Sequence, residues 1–198
     1  MLIDVSYFKG ALQIPNIDKD QTAFEDNYIT PYESEILTRL LGNDLYQQVL
    51  TNYDTGVDDK WKDLVEGTDY EVEVNGVTYD VKWNGLINSD KLSLIAYYVY
   101  FNYVKQNYQQ LTGLGVSANV QENATIVSPN EKLVWSWNEC KRLSGTNVYD
   151  NYSCLQITDQ VTVYNELQPS LFNFINENIT DYDNWIYNSL KGMNVLGI

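Results

Sequence analysis

Thirteen consecutive residues, Leu92 to Val104, limit the fold of this 198-residue chain more than any other feature, because 11 of the 13 are apolar and none is charged. A helix that is apolar almost all round has protein on every side. The stretch is too short to span a bilayer and rich in tyrosine. It reads as the buried central helix of a soluble protein, made and kept in a cytoplasm. Ser89 and Asp90 open it and Gly113 follows it, which predicts a helix running to about Leu111. The start Met1-Leu2-Ile3-Asp4 has no basic region followed by an apolar run, so no targeting signal is expected.

The rest of the chain has to wrap this rod. Residues 1–18 form an arm of short apolar pieces broken by Gly10 and Pro15; Asp4 to Phe8 reads as a short strand or an arm that packs on its own domain or on a neighbour. From Asp20, Phe24, Tyr28, Tyr32, Ile36, Leu37, Leu40 and Leu41 recur at helical spacing. Pro31 lies inside that stripe and predicts a kink or break near Ile29 and Thr30. Gly42 predicts a stop, with Asn43 capping a second short helix through Leu50. Residues 54–69 read as an acidic loop with one helical turn around Trp61 and Leu64.

Two alternating runs, Tyr70–Val74 and Val77–Trp83, flank Asn75-Gly76. A type I′ turn needs positive φ at both central positions, so Asn-Gly predicts a β-hairpin at 70–83. Residues 113–127 read as extended, glycine-hinged chain, and connections of that length are commonly functional. Ser128-Pro129-Asn130-Glu131 opens a helix carrying Leu133, Val134, Trp137, Cys140 and Leu143. One of Trp135 and Trp137 should face the core and the other a groove or partner. Further helical pieces are expected between Tyr152 and Leu167, from Pro169 through Ile175, and from Tyr182 through Leu190. The apolar tail Met193–Ile198 must bury itself on this chain or on a partner. The expected fold is mainly α: a single domain, 1–198, built as a bundle of five to six helices with one hairpin and extended arms and loops. Its helical core spans 20–143, and C-terminal helices and tail fill 144–198.

Composition narrows the chemistry. The chain has 12 basic and 27 acidic residues, a net charge of −15, and no histidine. A free-standing nucleic-acid binder needs a basic face. Histidine triads and most zinc and haem sites are excluded. Cys140 and Cys154, fourteen residues apart, match no metal knuckle and read as ordinary thiols. Gly113-Leu114-Gly115 follows a helix and lacks a third glycine, so it is no dinucleotide loop. Asp18, Asp20 and Thr22 open like a calcium loop, but Ala23 and Ile29 stand where Gly and Glu belong. Neither metal nor cofactor is expected. Carboxylate pairs remain. Glu33 and Glu35 should point to different faces of a helix, while Asp58 with Asp59 and Asp181 with Asp183 sit in polar loops. A solvated acidic surface outweighs a hydrolytic pair among so many acids. The 17 Tyr and 22 Asn suit surfaces that meet other proteins, and an AT-rich genome would give the same bias.

Tyr28-Ile29-x-x-Tyr32-Glu33-x-x-Ile36-Leu37-x-x-Leu40-Leu41-Gly42-x-x-Leu45-Tyr46 resembles the opening of small head–tail connector (adaptor) proteins of tailed bacteriophages, in particular those of crAss-like and other Bacteroides phages. The aromatic helix Tyr97–Tyr103, the loop Gly113-Leu114-Gly115-Val116 and the helix start Ser128-Pro129-x-x-Lys132-x-x-x-Ser136-Trp137-Asn138 are similar too. The likeness covers about residues 20–143, treats the hairpin as an insertion, and does not extend past Ser144. It implies a structural virion protein without enzymatic activity. It implies assembly into a ring of about twelve copies in the neck, beneath the portal, with DNA passing through the lumen unread. The partners so implied are further copies of the chain, the portal protein and other neck or tail rings, with no membrane.

Within that reading, Gly113, Leu114, Gly115, Val116, Val120 and Ile126 are expected at the contact between subunits, given the length, glycines and lack of charge of their loop. Met193, Val195, Leu196 and Ile198 are expected to dock on the portal or the next ring, and part of the acidic surface to line a channel. The rivals are an aromatic-rich module that binds carbohydrate or protein, and a carboxylate-dependent hydrolase.

Overall fold

The computed structural model describes residues 1–56, 58–74, 76–112, 115–118, 130–145, 169–183 and 185–191. The chain is mainly helical, with a two-stranded antiparallel hairpin where Asn75-Gly76 predicts one.

The helical stripe from Asp20 forms α1 (Gln21–Phe24), a π-helical turn (Glu25–Ile29) and α2 (Thr30–Leu41). Of the kink or break expected near Ile29 and Thr30, the break does not occur; the helical run instead changes from π to α geometry between these two residues. Pro31 occupies the first turn of α2, and Thr30 N–H reaches back five residues to the carbonyl of Glu25. A proline cannot donate to the turn before it, and the wider π turn absorbs that missing donor while the helical run continues. Gly42, at φ +80°, ends α2, and its own carbonyl accepts Tyr46 N–H at the start of α3 (Asn43–Asn52). Asn43 is therefore the first helical residue, not the cap.

The acidic stretch holds more order than one turn. Asp58 caps α4 (Asp59–Glu66) by accepting Lys60 N–H at 3.3 Å, and Trp61, Leu64 and Val65 point into the core. The hairpin follows as β1 (Thr68–Val74) and β2 (Val77–Trp83), paired from Thr68 with Trp83 to Val74 with Val77. Its inner face carries Val72, Val81 and Trp83; the Trp83 indole N–H donates to Leu64 C=O at 3.0 Å.

The central helix α5 (Leu94–Tyr108) is buried without interruption from Leu94 through Phe101, and it packs on α2 and on α6 (Asn130–Ser144). It starts later than Ser89-Asp90, because Ser93 does the capping. Ser93 Oγ accepts Ile95 N–H at 3.2 Å and donates to Leu86 C=O at 2.6 Å. It also ends before Leu111. Residues Gln109–Thr112 (β3) leave the helix to pair antiparallel with Gly115–Ala118 (β4), a second small hairpin in what reads as helix end and extended loop.

The N-terminal arm is no strand. Three short 3-10 turns, Val5–Tyr7, Gly10–Leu12 and Ile17–Lys19, let Ile3, Tyr7, Phe8, Leu12 and Ile14 enter the chain's own core. Near the other end, Ser170 and Asn173 form a reciprocal cap on α7 (Leu171–Glu177). The helix expected from Tyr182 is absent: 178–183 form turns and 185–191 run as an irregular strap. Its apolar residues reach different surfaces rather than one helical face. Tyr182 OH donates to Lys60 C=O at 2.8 Å and the Trp185 indole to Leu40 C=O at 2.9 Å. The helical piece expected within 152–167, most of the loop 113–127 and the tail 193–198 lie outside the described residues. Among the described residues, no helix is long and apolar enough to cross a membrane.

Candidate functional site

The apolar stripe of α1 and α2 has a polar margin. Phe24, Tyr28 and Tyr32, spaced by four, bring two phenol rings to the edge of the core beside α5. Tyr28 stacks on Phe24 at 5.2 Å and meets Tyr103 of α5 edge-on at 5.1 Å; Tyr32 meets Tyr98 edge-on at 6.1 Å. These rings are half-buried or buried, so their faces are fixed by packing while several hydroxyls reach the surface.

Side chains of α5 and α2 hold those hydroxyls. Asn107 Nδ2 donates to Tyr28 OH at 3.1 Å and to its own helix at Tyr103 C=O at 2.9 Å. Gln106 Nε2 donates to Tyr32 OH, and Tyr98 OH donates to Glu35 Oε1 at 2.7 Å. A shallow groove of about 540 Å³ runs along the seam, lined by Tyr32, Glu35, Asn102, Lys105 and Gln106. Burial raises the Tyr32, Tyr98 and Tyr103 hydroxyls above the ordinary tyrosine value, and Glu35 adds to the rise at Tyr32 and Tyr98. They therefore stay protonated, and the seam presents neutral donors and acceptors on rigid rings. Rigid rings with fixed hydroxyls can offer shape and hydrogen bonds at low entropic cost.

Glu33 and Glu35 do point apart, as their spacing requires. Glu35 is exposed, but Glu33 is 2% exposed and is no part of a solvated acidic surface. Its carboxylate accepts Leu2 N–H at 2.8 Å and Ile3 N–H at 3.1 Å, tying the arm to α2. Burial is the largest influence on it and pushes its pKa up against these two bonds. Asp58 serves as a helix cap, and Asp181 and Asp183 are exposed. Among the described residues, no cluster of three or more acids or cysteines could hold a metal ion. Cys140 is fully buried, which pushes its thiol up. Trp137 packs on Phe101 at 4.9 Å, while Trp135, 37% exposed, meets Tyr97 edge-on and keeps a free side.

Of the residues expected to contact other subunits, Gly115 and Val116 lie in β4. Gly113, Leu114, Val120 and Ile126 lie outside the described residues, as do Met193, Val195, Leu196 and Ile198. Sequence reasoning missed Gln106, Asn107 and the buried role of Glu33. The amides pair with tyrosines 74 and 79 positions away, and no local pattern encodes such distant partners.

No family model matches the chain, and no curated protein or solved structure was found similar to it.

Proposed function

We propose that this chain is a structural virion protein that closes into a ring at the head–tail junction of a tailed phage. It would bridge portal and tail around the DNA channel and carry out no catalysis. The tyrosine-lined seam between α2 and α5 supports this reading most directly. It is an amphipathic seam in which the hydroxyls of Tyr28, Tyr32 and Tyr98 are already hydrogen-bonded, the kind of surface that meets another protein at low ordering cost. The resemblance of residues 20–143 to head–tail connectors adds to it, as does the charge. A net −15 suits a channel wall to which a duplex must not adhere.

The test is co-assembly. The purified chain is mixed with the portal protein encoded in the same genome and imaged by electron microscopy. A ring stacked on the portal is the expected result. No binding at any salt, with the other neck proteins supplied, would remove the reading. The seam groove favours one second reading, a carbohydrate-binding module, because it combines a tyrosine with carboxylate, amide and ammonium groups. Glycan binding by a chain that ignores the portal would establish that alternative.

A further inference from the structure

The two hairpins protect their edges differently. In β1–β2 both strands carry charges, Asp69, Glu71 and Glu73 on one and Asp80 and Lys82 on the other, all exposed. Charges on an edge strand deter further strands from pairing with it. In β3–β4 the strands read Gln-Gln-Leu-Thr and Gly-Val-Ser-Ala, with no charge and no proline. The run from Gln106 to Gln121 is the longest in the sequence without Asp, Glu, Lys or Arg. Among the described residues β3 pairs only with β4, so each strand has an outward row of N–H and C=O groups. A two-stranded hairpin of four residue pairs has little stability of its own and gains from a third strand.

We propose that β4 of one copy pairs antiparallel with β3 of the next, so that assembled copies share a continuous backbone ladder. Charge selects a second copy as the occupant. Each copy carries −15, and two copies repel wherever both present acids; the uncharged hairpin is a surface where they meet without that penalty. Direction is consistent as well. β3 and β4 run oppositely within a copy, so a β4-to-β3 contact keeps every neighbour antiparallel when the step repeats. A repeated head-to-tail step closes into a ring or runs on as a filament; closure into a ring rests on the function proposed above.

The experiment uses the full chain, alone at rising concentration and mixed with portal, and reads hydrogen exchange together with sedimentation. In the assembly the amides of 109–112 and 115–118 should exchange at least about tenfold more slowly than in the monomer, with those of β1–β2 unchanged. The register pairs Thr112 with Gly115, with two residues between them in the chain, which makes them the hydrogen-bonded closing pair, so the N–H of Ala118 points away from the hairpin. Ala118→Pro therefore removes an outward donor and spares the bonds within the hairpin. Ser117→Lys supplies the missing edge charge by a separate route. Either variant should weaken self-association at least about tenfold with an unchanged melting curve. An assembly whose 109–118 amides exchange as in the monomer, or which forms equally well from both variants, would overturn the proposal. A wild-type chain that stays monomeric alone and with portal would overturn both this contact and the ring. Slowed amides in a ring that ignores the portal would support the contact and refute the neck role.

Discussion

Glu33 shows how one residue can set a pH response. Its folded pKa is raised because burial outweighs the Leu2 and Ile3 N–H bonds and the ammonium of Met1 at 3.7 Å. Folding thus favours the protonated carboxyl. The stability it contributes is complete below the ordinary glutamate value of 4.5 and is lost as pH rises through the higher folded value. Urea melts between about pH 4 and about pH 7 should show wild type losing stability relative to Glu33→Gln as pH increases. A pH-independent difference would contradict this. Two glycines make a second argument at the same scale. A Cβ on Gly67 would stand 2.3 Å from Trp83 O, and one on Gly85 would stand 2.5 Å from Glu66 C, with φ at +92° and +78°. The two backbones cross at the root of the hairpin, where only glycine fits. Gly67→Ala or Gly85→Ala should cost more than about 2 kcal/mol. Gly56→Ala, also at positive φ but facing open space, should cost about 1 kcal/mol. Equal losses in urea melts would rule out crowding as the cause.

At the scale of elements, the strap 185–191 is held at both ends by indoles. Trp185 donates to Leu40 C=O near the end of α2, where the last carbonyls have no partner within the helix. Trp137 of α6 donates to Lys191 C=O at 2.7 Å. Trp185→Phe keeps most of the ring and removes the donor, so it should cost about 1 kcal/mol. Limited proteolysis between Ile186 and Ser189 should become faster, and unchanged cleavage would show that ring packing alone holds the strap. This segment also marks where sequence reading stops. α2, α3, the first hairpin and the buried α5 are legible because each repeats a local period or carries a turn signal. α4 hides among acids, since its cap Asp58 and its surface Asp59 and Asp63 look alike in sequence. Tyr182, Trp185 and Leu190 mimic a helical face, but all three are drawn in from an irregular segment, Tyr182 bound to α4 and Trp185 to the end of α2. The candidate seam was half legible. Tyr28 and Tyr32 belong to the helical stripe, whereas their amide partners come from the far end of another helix.

For the whole molecule, a net charge of −15 sets what any contact between copies has to overcome. The acids are spread along the chain except across its centre, where residues 91–125 carry 1 acid and 2 bases. Two copies approaching in dilute salt feel each other over about 30 Å, and at 1 M over only about 3 Å. If the contact lies on uncharged backbone, salt removes repulsion and takes away nothing that attracts. Self-association should then strengthen steadily as salt is raised from about 0.01 M to about 0.5 M. If copies were instead joined by their 12 basic residues meeting acids of a neighbour, the same salt would screen the attraction and association would weaken. Sedimentation at fixed protein concentration across that salt range separates the two by the sign of the slope. A falling slope would move the contact from the uncharged hairpin to the charged surface, whatever the assembly's biological setting.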